Sequence, residues 1–235
     1  MIEWLTVPID PTRTHAVGEA IAWHGRLMVL AWGFVLPLGV FFARFFKITR
    51  RQNWPHHVDN KLWWHVHLTT QYIGGMLMLA GFGLVLLTGA GAARWNAHGL
   101  VGYAVVALGV SQFVAGWMRG SKGGPTEATL RGDHYDMTRR RRIFEYVHKT
   151  FGYVALLLGA GAIVTGLWHA NAPRWMWGAL GGWWCLFLAA FIWLQQAGHA
   201  IDTYQAIWGP DPRHPGNGLK PIGWGVRRWS PAAGE

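Results

Sequence analysis

Apolar and polar residues segregate along this chain into long blocks. Apolar runs occupy about 21–46, 62–89, 98–117, 143–168 and 175–194, with polar segments between them. Each run is long enough to cross a hydrocarbon core of about 30 Å at about 1.5 Å per helical residue. The pattern predicts an all-α integral membrane protein with five transmembrane helices. Pro37 lies inside the first run and predicts a kink rather than an end, because membrane helices tolerate proline. Residues 1–20 read as a tail, 119–142 as a polar loop ending in four arginines, and the Pro- and Gly-rich residues 198–235 as an irregular tail.

Composition agrees with the pattern. Only 14% of the residues are charged, against about a quarter in a soluble protein, while 51% are hydrophobic and 17 are Trp. The net charge of +10 is carried mostly by 44–61, 119–142 and the C-terminal tail. Residues 1–20 and the two short loops holding Arg94 and Arg174 are poor in cations. Basic and cation-poor segments alternate, as five spans require, so the N-terminus is expected outside and the C-terminus inside. In a bacterial inner membrane these sides are periplasm and cytoplasm. The basic balance thus points to topology and anionic lipid and argues against nucleic acid. Residues 1–15 lack a basic segment followed by an apolar one, so no cleavable signal is expected. The single cysteine, Cys185, excludes an intrachain disulfide, a Cys-based zinc site and, with no CxxCH, c-type haem attachment. It reads as a buried structural thiol.

Candidate chemistry lies in a repeat. HGLVGYAVVALG at 98–109 and HKTFGYVALLLG at 148–159 share H-x3-G-Y-x4-L-G. On a helix, glycines four and eleven places after the histidine fall within about 40° of it. Such a stripe serves either close helix packing or a large flat ligand beside the histidine, and two copies favour the ligand. Of the 12 histidines, His24, His67, His98 and His148 lie near the starts of successive apolar runs. Successive spans start on opposite faces, so His24 and His98 are expected near the outer face and His67 and His148 near the inner. Intramembrane ionisable groups default to functional roles. Two histidines at each of two depths suit two bis-histidine haems, whose iron has no open position and carries electrons. Gly74 and Gly81 share the face of His67, and Ala31 is a weaker counterpart for His24. His65 competes with His67 but points about 160° away. His169 and His199 read as interfacial, and His15, His56, His57, His134 and His214 as solvated.

Four patches carry a family resemblance. They are His24-Gly25 with Trp32, Pro37, Gly39, Arg44 and Lys47; Trp63-x3-His67-x3-Gln71; His98-x3-Gly102 with Gln112; and Phe144-x3-His148-x3-Gly152-Tyr153. Over roughly 20–170 the chain resembles the cytochrome b561 family of dihaem transmembrane electron carriers, closest to the membrane domain of DOMON-linked members. The resemblance implies two haem b groups, with His24 and His98 ligating one iron and His67 and His148 the other. It also implies a role for Arg44 and Lys47 with haem propionates or an anionic donor, the alternative being cations that snorkel to the interface. Arg26, about 200° round the helix from His24, either pairs with a propionate or snorkels. No DOMON domain is read in the sequence.

The expected organisation is an N-terminal tail at 1–20, a four-helix dihaem core at 21–170, a fifth helix at 171–197 and a cytoplasmic tail at 198–235. The expected function is a transmembrane oxidoreductase passing electrons between a donor and an acceptor on opposite faces. Ascorbate, a quinol and a redox protein all remain open as partners, as does homo- or hetero-oligomerisation. The alternatives are a haem-bearing anchor subunit that serves a partner enzyme and the quinone pool, and a non-redox membrane assembly subunit.

Overall fold

The computed structural model describes residues 2–89 and 96–229. The expected loop position of Arg94 lies outside the described residues. Five helices are long and apolar enough to cross a membrane: α2 (Glu19–Phe45), α3 (Leu62–Thr88), α4 (Ala97–Trp117), α5 (Arg139–His169) and α6 (Arg174–Gln196). They are preceded by α1 (Ile2–Thr6) and followed by α7 (Thr203–Trp208). No strand occurs among the described residues, so the protein is an all-α membrane protein.

Helix starts follow side-chain capping. Asn60 Oδ1 accepts from Leu62 N–H at 3.0 Å, and Asn96 Oδ1 from Gly99 N–H at 2.8 Å. Thr138 Oγ1 accepts from Arg141 N–H at 3.3 Å, so the four arginines expected at a loop end form the first turn of α5 instead. The kink expected at Pro37 takes the form of a π-helical turn over Val29–Val35, where Leu36 N–H reaches back to Ala31 O. Proline has no N–H to offer the Gly33 carbonyl. Trp183 Nε1 on α6 donates to that oxygen at 2.9 Å, and its ring stacks on Phe34 at 4.9 Å.

The chain forms two compact units, and each long helix contributes one part to each. The first unit comprises 1–38, 70–110 and 153–190. Its core packs Ala31, Trp32 and Leu36 with Met78, Val105, Ala155, Ile163 and Leu180. The second unit comprises 39–69, 111–152 and 191–235. One of its clusters joins Met137, Tyr204, Ile207, Trp208 and Ile222; another joins Phe45, Leu194 and Ala200.

Two expectations need correction here. The tail is not irregular throughout: all six residues of α7 are buried, because Tyr204, Ile207 and Trp208 supply an apolar core of their own. Cys185 is exposed, not buried; it shares a stretch of α6 with exposed Leu186 and Leu188, a face suited to lipid.

Candidate functional site

In the first unit α2 brings His24 and α4 brings His98 together. Their ring centres are 6.2 Å apart and the planes stand at 86°. His24 Nδ1 lies 2.9 Å from Gly81 O on α3, and His98 Nδ1 lies 3.0 Å from Ala162 O on α5. A carbonyl only accepts, so each Nδ1 carries the proton and each Nε2 keeps its lone pair. A metal-ligating histidine is held in this way, its other ring nitrogen donating to a backbone carbonyl. A metal–imidazole bond is about 2 Å, and two of them plus roughly 1 Å from each ring centre to its nitrogen come to about 6 Å. The spacing therefore fits one iron held between two imidazoles.

In the second unit α3 and α5 bring His67 and His148 together, with ring centres 6.4 Å apart and planes at 87°. His67 Nδ1 lies 3.2 Å from Gly39 O. His148 stacks on Phe144 at 5.1 Å, and its buried Nδ1 has no partner among the described residues. His65 is exposed, which leaves His67 as the inward-facing member of the competing pair.

The glycine stripes divide into two kinds. A Cβ on Gly102 would meet nothing within 4 Å, and one on Gly152 would meet only Gln112 Oε1 at 3.6 Å. These two positions have room for a larger neighbour. A Cβ on Gly109 would instead meet Met78 Sδ at 2.8 Å and the Trp32 ring at 3.3 Å, one on Gly159 the Trp32 ring at 2.8 Å, and one on Gly74 Leu36 at 2.5 Å. Those three serve close packing in the first unit, which corrects their reading as ligand space. The sequence reading also missed Gly166, whose added Cβ would meet His98 Cε1 at 3.0 Å. Gly166 lies 18 places beyond His148 on α5, five full turns round the helix and so on the same face, a signal that was there to be read. The Gln112 amide was also missed as a site group: both its polar atoms are buried without a partner among the described residues.

The three cations named from sequence sit differently. Arg26 is exposed and lies over the Trp23 ring at 4.9 Å. Arg44 and Lys47 are only 5% and 6% exposed, so neither snorkels. The Arg44 guanidinium donates to Gln195 Oε1 at 2.6 Å and Trp224 O at 2.7 Å, and Lys47 Nζ donates to Ile201 O at 2.9 Å. Burial, with Lys149 nearby, pushes the Lys47 ammonium down to about 7. Lys149, next to His148, donates to Glu145 Oε2 at 2.6 Å and Ile222 O at 2.7 Å. Arg44, Lys47 and Lys149 thus each donate to a carbonyl of the C-terminal tail. Glu145 is buried and also accepts from Arg141 Nε at 3.0 Å. His134, expected to be solvated, is 1% exposed and packs edge-on against Tyr204 at 5.7 Å. The tail cluster buries it. That burial, with Arg141 nearby, pushes its imidazole down to about 3 and holds it neutral.

No family model matches the chain, and no solved structure does. Curated relatives do. The chain is 29% identical over 146 residues to a cytochrome b561, DM13 and DOMON domain-containing protein of Arabidopsis thaliana, covering 62% of this chain and 14% of the relative. It is 28% identical over 155 residues to a cytochrome b561 and DOMON domain-containing protein of the same plant, covering 63% and 31%. It is 28% identical over 147 residues to ferric-chelate reductase 1 of Bos taurus, covering 61% and 22%. The chain therefore spans less than a third of the length of these relatives. Their names match the resemblance that the four histidine patches carry.

Proposed function

We propose that this chain is a dihaem b-type cytochrome of the cytochrome b561 family, moving electrons across the membrane. His24 and His98 would hold one haem b, and His67 and His148 the other. The observation that carries this reading is the geometry of the two pairs, each with near-perpendicular rings at 6.2 and 6.4 Å. When bound, bis-histidine haem supplies reversible one-electron chemistry with no position open to oxygen or substrate. The protein's part is to hold the imidazoles. Gly81, Gly39 and Ala162 carbonyls orient three of the four rings and fix the Nδ1–H tautomer. The Trp32–Met78 core keeps the first unit dry.

Alternating basic segments support a bacterial inner-membrane protein with its N-terminus in the periplasm and C-terminus in the cytoplasm. Ascorbate, a quinol or a redox protein supplies electrons; a ferric chelate joins the candidate acceptors because relatives are named ferric-chelate reductases.

The test begins with protein expressed with ample haem and assayed as the pyridine haemochrome. The expected result is two haems b per chain. Single replacements of His24 and His98 by Ala should lose the same haem, and those of His67 and His148 the other. A colourless protein, or loss of one common haem by His24→Ala and His67→Ala, would overturn the reading. Reduction in proteoliposomes by ascorbate against a quinol then identifies the class of donor.

A further inference from the structure

Four consecutive arginines at one helix start cannot all face one way, because successive residues turn by about 100°. Arg140 donates through Nε and Nη2 to Met118 O at 3.2 and 3.1 Å. Arg141 is spent on Glu145. Arg139 and Arg142, three apart and on one face, have side chains with no hydrogen-bond or ion-pair partner among the described residues. Together with Lys220 of the tail they line a cleft of about 320 Å³. Lys220 likewise has no such partner, and no carboxylate lines the cleft. Its remaining walls are mostly apolar, with Ile143, Leu219 and Tyr146 exposed to whatever enters. Ile143 opens the apolar run of α5, so the cations stand at the depth where headgroups meet hydrocarbon.

We propose that this cleft is a binding site for one anionic phospholipid. The phosphate lies among Arg139, Arg142 and Lys220, and the upper acyl chain lies along Ile143, Tyr146 and Leu219. Guanidinium and ammonium donors without an internal acceptor match phosphate oxygens. The apolar wall matches an acyl chain and has no use for a free anion, which favours lipid over soluble phosphate. This differs from a diffuse attraction of a basic surface to the membrane, because two arginines of the run, Arg140 and Arg141, are held elsewhere by their own contacts.

The experiment uses the haem-loaded full chain, delipidated in detergent, offered phosphatidylglycerol or phosphatidylcholine, and read by native mass spectrometry. Wild type and Arg140→Gln should each keep one phosphatidylglycerol and little phosphatidylcholine. The triple variant Arg139→Gln, Arg142→Gln, Lys220→Gln should bind it about a hundred-fold more weakly, each cation contributing roughly five-fold. Lys220→Glu, a single change on the exposed tail surface, keeps the test valid if the triple variant fails to fold, and should also lose the lipid. An Arg140→Gln loss as large as that of Arg142→Gln would reduce the effect to general surface charge and overturn the site. Equal retention of phosphatidylcholine, or displacement of the lipid by millimolar inorganic phosphate, would overturn the lipid assignment.

Discussion

The two histidine pairs share a ring geometry and differ in the charge around it. Around His24 and His98 the contacts are neutral: the Gly81 and Ala162 carbonyls and the Thr165 hydroxyl, in a unit whose core packs Trp32 against Met78. In the unit of His67 and His148 the chain buries Arg44, Lys47 and Glu145, and pins its cations with main-chain oxygens of a folded tail. The proposed ligation thus needs only two imidazoles, three of the four with a carbonyl at the second nitrogen, and leaves the surrounding charge free to vary. Charge near a haem is one of the levers that sets its potential. One pair sits in a neutral setting and the other in a cationic one, so the two haems proposed for them would be unequal stations.

The largest test of that contrast is steric. Gly166→Val would push branched carbons into the His98 ring, where even a Cβ would stand 3.0 Å from Cε1. The expected outcome is loss of the haem of His24 and His98, halving the reduced alpha band, with the other haem intact. Retention of both haems would show that the ring has room to move.

Next in size is Glu145→Gln. It removes the only carboxylate within 4.0 Å of Arg141 and Lys149 among the described residues. Breaking a buried charge network from one side costs about 3–5 kcal/mol. Thermal unfolding in detergent should show a large drop, with the first unit's haem lost last. A change below about 1 kcal/mol would place the pair in the weak class of solvated surface bridges.

The smallest effect is acid sensitivity. His134 titrates near 3 in the fold because burial and then Arg141 disfavour its charged form, against 6.5 for the ordinary group. Between those values the unfolded chain binds the extra proton. Its contribution is therefore complete above about pH 6.5 and lost as pH falls toward 3, by up to about 1.4 kcal/mol per pH unit. His134→Asn should flatten the fall in melting temperature between pH 7 and 4.5, whatever its effect at pH 7. An unchanged slope would mean that the imidazole is already wet.

The sequence alone determined the five spans and the placement of four histidines near the starts of four of them, because both follow from local rules. A run of about twenty apolar residues must be a helix in lipid, where its backbone polar groups have no water to bond. A histidine at a helix start also shows which depth it shares with its counterparts. The bounds of the helices were legible to within a few residues, save at α5, where the Thr138 cap draws all four arginines into the first turn. Tertiary structure alone decided which glycines border a histidine and which seat Trp32, since glycines on one helix face meet different neighbours at different heights. It also decided that Arg44 and Lys47 are buried and that His134 is neutral. Those facts depend on a tail whose Pro and Gly content hid an apolar cluster at Tyr204, Ile207 and Trp208. Local pattern reports what a residue can do within its own element. Burial is set by what arrives from 150 residues away, as Ile201 does at Lys47, and no periodicity in either segment encodes that meeting.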